Sequence, residues 1–357
     1  MPVVVYDTEQ FRHRPDFYLK QGKLGAGLEK PERAEVLLES MTGYGAKVVA
    51  PYRFDLTLVR TVHSSRYIDF LLKAQEHVNR SDVETPEIVP PMTRDDAATI
   101  YPISLFGRAA WHMYDFHSPI GRASVDAAIG AAQSALTAAQ HLLDGETASY
   151  ALCRPPGHHA HADFGGGYCY LNNAAIAARY LTRGGHRVAI LDIDADHGNG
   201  TQSIFYEAAD VFHASLHADP RVSYPYFSGH AEERGRGPGL DKTLNVPLQP
   251  GTADLDYLEE LKRALDAIDR FDPAYCVVAL GVDGHVDEPN HLLSLTTDGL
   301  HQIGATLASL GKPMLFTQEG GYNLATLGEN VAAVIGPLMG FSSSFPSRAT
   351  SKLMGTK

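Results

Sequence analysis

The chain of 357 residues has no apolar stretch approaching the ~18 residues a membrane span needs. It has only three cysteines, Cys153, Cys169 and Cys276, set far apart. That spacing is neither a disulfide framework nor a thiolate metal knuckle, and it fits a reducing, cytoplasmic setting. Positive charge is also short: the net charge is −12 with histidines neutral. An acidic balance disfavours a nucleic-acid backbone as partner and suits a soluble protein with a cationic small substrate. The opening MPVVVYDTEQ lacks a basic flank followed by a long apolar core, so no signal peptide is expected. No serine nucleophile elbow appears, which disfavours a serine hydrolase. No glycine-rich fingerprint follows the first strand, which argues against dinucleotide binding. Neither an internal repeat nor a compositional break between domains is evident.

What the chain does have is an alternation of apolar strands and amphipathic helices. VVVYD, AKVVAP, SYALCRPPG, RVAILDID, ADVFHASLH, KTLNVPL, AYCVVALGVD and KPMLFTQEGG read as strands. LTLVRTVH reads as a strand-and-turn piece. SSRYIDFLLKAQEHV, residues 124–143, NNAAIAARYLTRGG, DYLEELKRALDAIDRF, TTDGLHQIGATLASLG and LGENVAAVIGPLMG read as helices. The expectation is an α/β fold with one open, mostly parallel sheet covered on both faces. Residues 1–345 are expected to form one domain, followed by a polar tail at 346–357. From Ser81 to about Gly121 five prolines leave few periodic elements, which makes that stretch a functional or interface loop.

The densest chemistry lies in ILDIDADHGNGTQ, residues 190–202. Asp192, Asp194 and Asp196 alternate after an apolar start, and an extended chain would turn all three to one face. Three crowded carboxylates repel and resist desolvation unless a cation sits among them. The alternative is a surface turn, where Asp, Asn and Gly gather for ordinary turn reasons. Three other strand ends also carry polar groups: His158 and His159, Asp283 and His285, and Glu319 to Tyr322. In open α/β sheets, ligands bind in the crevice outside those ends. A mechanism follows from the residue types. Asp194, Asp196 and Asp283 hold a divalent ion that polarises a carbonyl and activates water. A histidine of the 158–159 pair moves the proton, and the Tyr322 phenol donates to the developing oxyanion. Together these describe hydrolysis of an amide or ester.

The strings CRPPGHHAHADFGGGYCYLNNAA (153–175), ILDIDADHGNGTQSIFY (190–206), FHASLHADP (212–220), ALGVDGHVDEP (279–289) and EGGYNLATLGENVA (319–332), with EKPERAE (29–35), resemble the arginase/deacetylase superfamily. Within it the chain is similar to bacterial acetylpolyamine amidohydrolases and histone deacetylase-like amidohydrolases. The resemblance implies an eight-stranded parallel sheet and removal of an acyl group, acetyl by expectation, from a small acylated amine such as an acetylpolyamine. It implies Zn²⁺ at Asp194 and Asp283, with His159 as general base beside His158 and Tyr322 on the carbonyl. It implies a structural K⁺ at Asp192, Asp194, Ser215 and the carbonyls of Asp196 and Leu216. Tyr168 matches an aromatic wall of the substrate tunnel, and Tyr224, Tyr226 and Phe227 lie where the opposite wall is expected. Asp115 and His117 sit in the loop that supplies acidic contacts to the substrate cation, where Asp115 is such a contact or a solvated surface carboxylate; His285 and His161 add imidazoles near the pocket, with hydrogen-bonding support behind it the favoured role. The resemblance further implies a homodimer whose long loops, about 12–30 and 84–118, narrow the active-site mouth. No nucleic acid or membrane partner is implied.

The departure is Asp196, where the family has a histidine ligand. Three carboxylates carry one more negative charge than two carboxylates and an imidazole. The ion becomes a poorer Lewis acid, and oxygen-only ligands tilt selection toward Mn²⁺ or another hard divalent ion. Three outcomes stay open: a tolerated ligand swap, altered metal or substrate, and a catalytically silent small-molecule-binding homologue. Gly165 and Gly166, where relatives carry bulk, are expected to widen the tunnel mouth.

Overall fold

The computed structural model describes residues 2–20, 23–25, 27–83, 86–94, 98–290 and 292–341. The expected polar tail, and parts of both long loops, lie outside the described residues. The strands are β1 (Val3–Val5), β2 (Leu19–Lys20), β3 (Lys23–Leu24), β4 (Lys47–Val49), β5 (Ala148–Ala151), β6 (Val188–Asp192), β7 (Val211–Ala218), β8 (Thr243–Leu248), β9 (Tyr275–Leu280) and β10 (Met314–Gln318). Eight of them form one sheet in the order β4-β1-β5-β10-β9-β6-β7-β8. Every pairing in it is parallel. The strands β2 and β3 make a small antiparallel hairpin apart from it. The α/β expectation with a single parallel sheet is met.

Period-two alternation explains why helices cover both faces. Ala189 and Leu191 of β6 join one core with Leu37, Leu261, Leu300 and Val331. Val188 and Ile190 of the same strand join the other core with Phe70, Leu136 and Ile176. The first core is therefore closed by α1 (Glu32–Gly43), α7 (Asp254–Phe271), α8 (Thr297–Ala308) and α9 (Leu327–Met339). The second is closed by α2 (Ser65–Asn79), α4 (Ser124–Leu143) and α5 (Asn173–Thr182). Each buried Leu, Ile, Val or Phe contributes about 1.5–3 kcal/mol, so both layers hold the sheet firmly.

Three elements depart from the sequence expectation. The LTLVRTVH piece is a turn with a 3₁₀ segment at Val59–Thr61, not a strand. Its buried residues Val59 and Val62 are three apart, a helical rather than an alternating spacing. The proline-rich stretch contains α3 (Leu105–His112), started by Ser104, whose Oγ accepts from Gly107 N at 3.1 Å. A short α6 (Asn199–Phe205) follows the aspartate segment directly.

Strand order positions the site. After β5 the chain leaves a gap, builds β6, β7 and β8 outward, then returns to fill the gap with β9 and β10. The four strand ends bearing polar groups, those of β5, β10, β9 and β6, thus become four neighbours at one crevice. Among the described residues no helix is long and apolar enough to cross a membrane.

Candidate active site

Beyond Asp192 the chain does not stay extended, so the three aspartates do not share one face. Asp194 N donates to Asp192 Oδ1 at 3.1 Å, and Asp196 N to Asp194 Oδ1 at 3.0 Å. Each carboxylate turns the backbone to the next. Asp194 is buried and accepts from Gly320 N at 2.8 Å through its second oxygen. Asp283, buried at the end of β9, accepts from Ala195 N at 3.0 Å through Oδ1. Oδ2 of Asp194 and Oδ2 of Asp283 meet at Gly320. A Cβ on Gly320 would lie 2.3 Å from Asp283 Oδ2 and 2.7 Å from Asp194 Oδ2, so only glycine fits there. Burial, then the Asp194 charge, holds Asp283 well above the carboxylate range; burial also pushes Asp194 up to about 7, against the pull of His158. Two such carboxylates fit a divalent cation, which would relieve both costs. Asp196 is half-buried and receives the Ser223 hydroxyl at 3.2 Å.

Ligand-type atoms of His158, Cys169 and Glu319 also lie within 4.8 Å of one another. We weigh that trio below the aspartates. Burial, then Glu319, holds the Cys169 thiol well above its usual range. Glu319 is engaged in positioning, because its Oε2 accepts from Gly157 N at 2.7 Å and His158 N at 3.1 Å.

The expected K⁺ groups are adjacent by register. Asp192 of β6 stands opposite Ser215 of β7, and Leu216 follows. Ser215 Oγ lies 2.8 Å from His217 Nδ1, whose Nε2 meets Gly229 O at 2.9 Å.

His158 and His159 stack with ring centroids 3.9 Å apart, yet their environments drive them opposite ways. His158 Nδ1 donates to Asp192 at 3.0 Å, and its Nε2 lies 3.8 Å from Asp194. Burial opposes its charge, but Asp192 and Asp194 outweigh it and hold its pKa well above the usual value. His159 instead donates to the neutral Asn199 Oδ1 at 2.8 Å. Burial, then the neighbouring His158, holds it well below the usual value. The carboxylates beside one ring favour its charged form, and burial with that neighbour favours the neutral form of the other.

Tyr322 follows β10 across Gly321, whose φ of 121° excludes other residues without strain. Its N–H donates to Glu288 at 2.9 Å, and so does Asn323 N at 3.1 Å. Arg33 of α1 lies 4.8 Å from the Tyr322 ring centroid and donates to Gly321 O and Glu319 O. Burial raises the phenol well above its usual value despite Arg33, and Asp283 adds to the rise. It stays protonated and able to donate. Below it, Glu29 is buried between Arg33 at 3.2 Å and Arg154 at 2.7 Å.

Aromatic rings enclose the crevice. Tyr168, at a positive φ of 68°, stacks on Tyr18 at 5.6 Å and faces Tyr322 at 5.9 Å. Tyr224 meets His159 edge-on at 4.8 Å. The Tyr224 hydroxyl lies 2.9 Å from Asp115 Oδ2 and 2.7 Å from the Tyr114 hydroxyl. Asp115 also accepts from Gly167 N at 2.9 Å, which ties its loop to the one bearing Tyr168. His117 bonds Leu19 O at 3.0 Å, joining the same wall to the β2–β3 hairpin. Tyr226 and Phe227 stand further out and exposed, Phe227 at 91 %. His285 is buried, with Nε2 3.3 Å from Thr297 Oγ1 of α8 and Nδ1 accepting from Asp287 N at 3.2 Å. Gly166 does not widen the mouth, because a Cβ there would lie 2.5 Å from Cζ of Tyr114, whose ring already fills the space.

Sequence reasoning missed Asn199, Tyr18, Tyr114, Arg33 and Glu288. Asn199, Arg33 and Glu288 lie within the motif strings, but nothing in their spacing says which side chain each one holds.

The family model for the histone deacetylase domain matches residues 27–338. An acetylpolyamine amidohydrolase of Burkholderia pseudomallei is 39% identical over 334 residues, 93% of this chain and 97% of that protein. An acetylpolyamine amidohydrolase of Mycoplana ramosa is 39% identical over 334 residues, 93% of this chain and 98% of its own length. A crystal structure of acetylpolyamine aminohydrolase from Burkholderia pseudomallei superimposes with a TM-score of 0.90 at 36% identity, covering 95% of this chain and 98% of that one. The chain belongs to the histone deacetylase domain family, within the arginase/deacetylase superfamily.

Proposed function

We propose that this member of the histone deacetylase domain family is a metal-dependent amidohydrolase that removes an acyl group, acetyl foremost, from a small acylated amine of the acetylpolyamine kind. The observation that carries the reading is the convergence of Asp194 and Asp283 beside two stacked histidines, one bonded to a carboxylate and the other to an amide. The names of the relatives above support the substrate class.

Asp194, Asp283 and Asp196 are the residues that would hold the divalent ion, Zn²⁺ or a harder ion such as Mn²⁺. When bound, the ion supplies Lewis acidity to the acyl carbonyl and the attacking water. His159 is neutral, and its Nδ1 proton is committed to Asn199, so Nε2 takes the proton as the water oxygen bonds to the acyl carbon. The carbon–nitrogen bond then breaks, and the proton passes from the histidine pair to the departing amine. Tyr322 donates its phenol to the developing oxyanion. Tyr18, Tyr168 and Tyr224 line the approach and keep water from it, while Asp115 places a carboxylate near a cationic amine. Asp192, Asp194, Ser215 and the carbonyls of Asp196 and Leu216 are the groups that would hold the K⁺. The all-oxygen set at Asp194, Asp196 and Asp283 favours the version of this reading with altered metal preference.

The test is metal analysis of purified protein coupled to hydrolysis of acetylated diamines in Zn²⁺, Mn²⁺, Co²⁺ and Ni²⁺. Amine release with one of them, abolished by chelation, is expected. No release with any ion rejects the enzyme reading in favour of a silent binding protein. Activity on non-cationic amides alone rejects the polyamine part.

A further inference from the structure

Tyr322 sits on a loop, so the aim of its phenol depends on what holds the backbone beneath it. Its ring has Tyr168 at 5.9 Å and the Arg33 guanidinium at 4.8 Å as neighbours. Before it stands Gly321 at φ 121°, the residue type that resists backbone rotation least. Arg33 holds the chain up to that glycine, by donating to Glu319 O and Gly321 O. Beyond the glycine a different side chain takes over. Glu288 is fully buried, and its Oε1 accepts from Tyr322 N and from Asn323 N, each at 3.1 Å. Its Oε2 accepts from Tyr322 N at 2.9 Å. Asn323 Nδ2 adds a bond to Asp287 O at 3.0 Å.

Glu288 is itself tied to Asp283. It ends a turn closed by His285 N to Val282 O at 3.2 Å and by Glu288 N to His285 O at 3.0 Å. Val286 N to Leu295 O at 2.8 Å and Leu295 N to Gly284 O at 3.1 Å pin that turn to the chain before α8. The turn that begins at Asp283 therefore finishes on the backbone of Tyr322. A group for the ion and a group for the oxyanion are joined across two strand ends by one carboxylate.

We propose that Glu288 is a positioning residue that fixes the Tyr322 phenol relative to the ion seat at Asp283. This rests on the reading of Tyr322 as the oxyanion donor. A carboxylate with a structural role alone would matter whatever stands at 322. A positioning carboxylate matters to turnover only while a phenol is there to be aimed.

The experiment compares Glu288→Met, Glu288→Gln, Tyr322→Phe and the double variant Glu288→Met/Tyr322→Phe, all metal-loaded, on an acetylated diamine. Glu288→Met removes both acceptors at similar volume; kcat is expected to fall ~10–100-fold at nearly unchanged KM, the scale on which a displacement of about 1 Å acts. Glu288→Gln keeps an acceptor at the Oε1 position, which serves both N–H groups, and recovers most of the loss. In the double variant kcat equals that of Tyr322→Phe alone. A kcat for Glu288→Met equal to wild type, or a loss equally large on the Tyr322→Phe background, overturns the inference. The same cycle is read in affinity for a fluoroketone analogue of the acetylated diamine, whose hydrate resembles the tetrahedral intermediate, so it holds even where Tyr322→Phe turns over too slowly to measure. Amide exchange reports the clamp without turnover: Tyr322 and Asn323 N–H should be protected in wild type and lose protection in Glu288→Met. Lost protection with kcat unchanged sinks the inference alone; an inactive wild type whose two amides lose protection in Glu288→Met sinks the hydrolase reading alone. If Glu288→Met does not fold, Glu288→Asp takes its place. Its carboxylate is one methylene short of the two N–H groups, and kcat and protection equal to those of Glu288→Gln would overturn the inference.

Discussion

At the residue scale, Asp196 sets the charge of the site. It faces Ser223 and adds to the field that raises Asp194. Replacing it by imidazole removes one negative charge from the seat. We expect Asp196→His to raise zinc affinity and zinc-supported hydrolysis, and to shift half-maximal activity to lower pH, because the attacking water loses its proton more readily. Zinc titration and a pH–rate profile check this. A histidine variant that loses metal would show that the pocket is shaped around the carboxylate. The four polar clusters were legible in the sequence because each ends an apolar run. Their partners were not. The role of Asn199 depends on where a ring from another strand end comes to rest. His285, two residues beyond Asp283, bonds Thr297 and Asp287 N, as the expected hydrogen-bonding role would have it.

At the element scale, α1 supports the loop after β10. The run EKPERAE starts this helix, and its Arg33 joins Glu29, Gly321 O, Glu319 O and the Tyr322 ring. Arg33→Met would keep much of the packing and leave Glu29 buried with one fewer partner. Removing one member of a buried ion pair costs about 3–5 kcal/mol. We expect the variant to lose stability on that scale in urea unfolding and to lose kcat as the Tyr322 loop slackens. Lost stability with unchanged kcat would make Arg33 structural only. Helix α3 shows why part of this level was hidden. Prolines around it mask a period that only eight residues carry, and its buried residues Ala109, Trp111 and His112 mark it as a helix only once packed.

At the scale of the whole molecule, burial of neutral imidazoles makes stability depend on pH. Burial, opposed by a bond to His161 O, lowers His63 from 6.5 to about 4; burial, opposed by Glu29, lowers His13 from 6.5 to about 3. Both are neutral when folded and protonate near 6.5 when unfolded, so the unfolded chain binds more protons below that pH. Their contribution is fully present above pH ~6.5 and is lost as pH falls through the folded values. Each tenfold difference in proton affinity between the folded and unfolded chain is worth at most about 1.4 kcal/mol. Chemical unfolding at pH 7 and pH 5 should show the drop, and His63→Gln should flatten it. The same scale holds the assembly. Met92, Ile100, Ile103 and Phe106 are exposed at 62%, 84%, 92% and 53% in the loop expected at a dimer interface. We propose that this loop buries itself against a second copy. Sedimentation at micromolar concentration should give about twice the 38.7 kDa chain mass, and a monomer would refute it.

Alternating apolar strands and amphipathic helices were enough to determine a single parallel α/β sheet, because side-chain period and burial on two faces are local properties. The same holds for the residue types at strand ends, since a polar group after a buried run must meet solvent or a ligand. Only the tertiary structure decided which ends are neighbours. The late return of β9 and β10 into the gap beside β6 brings Asp283 and Gly320 against Asp194, across 89 and 126 positions of chain. It also decided that the two stacked histidines meet different partners. That difference is a matter of which carboxylate or amide stands within 3 Å of each ring, and packing, not sequence spacing, sets it.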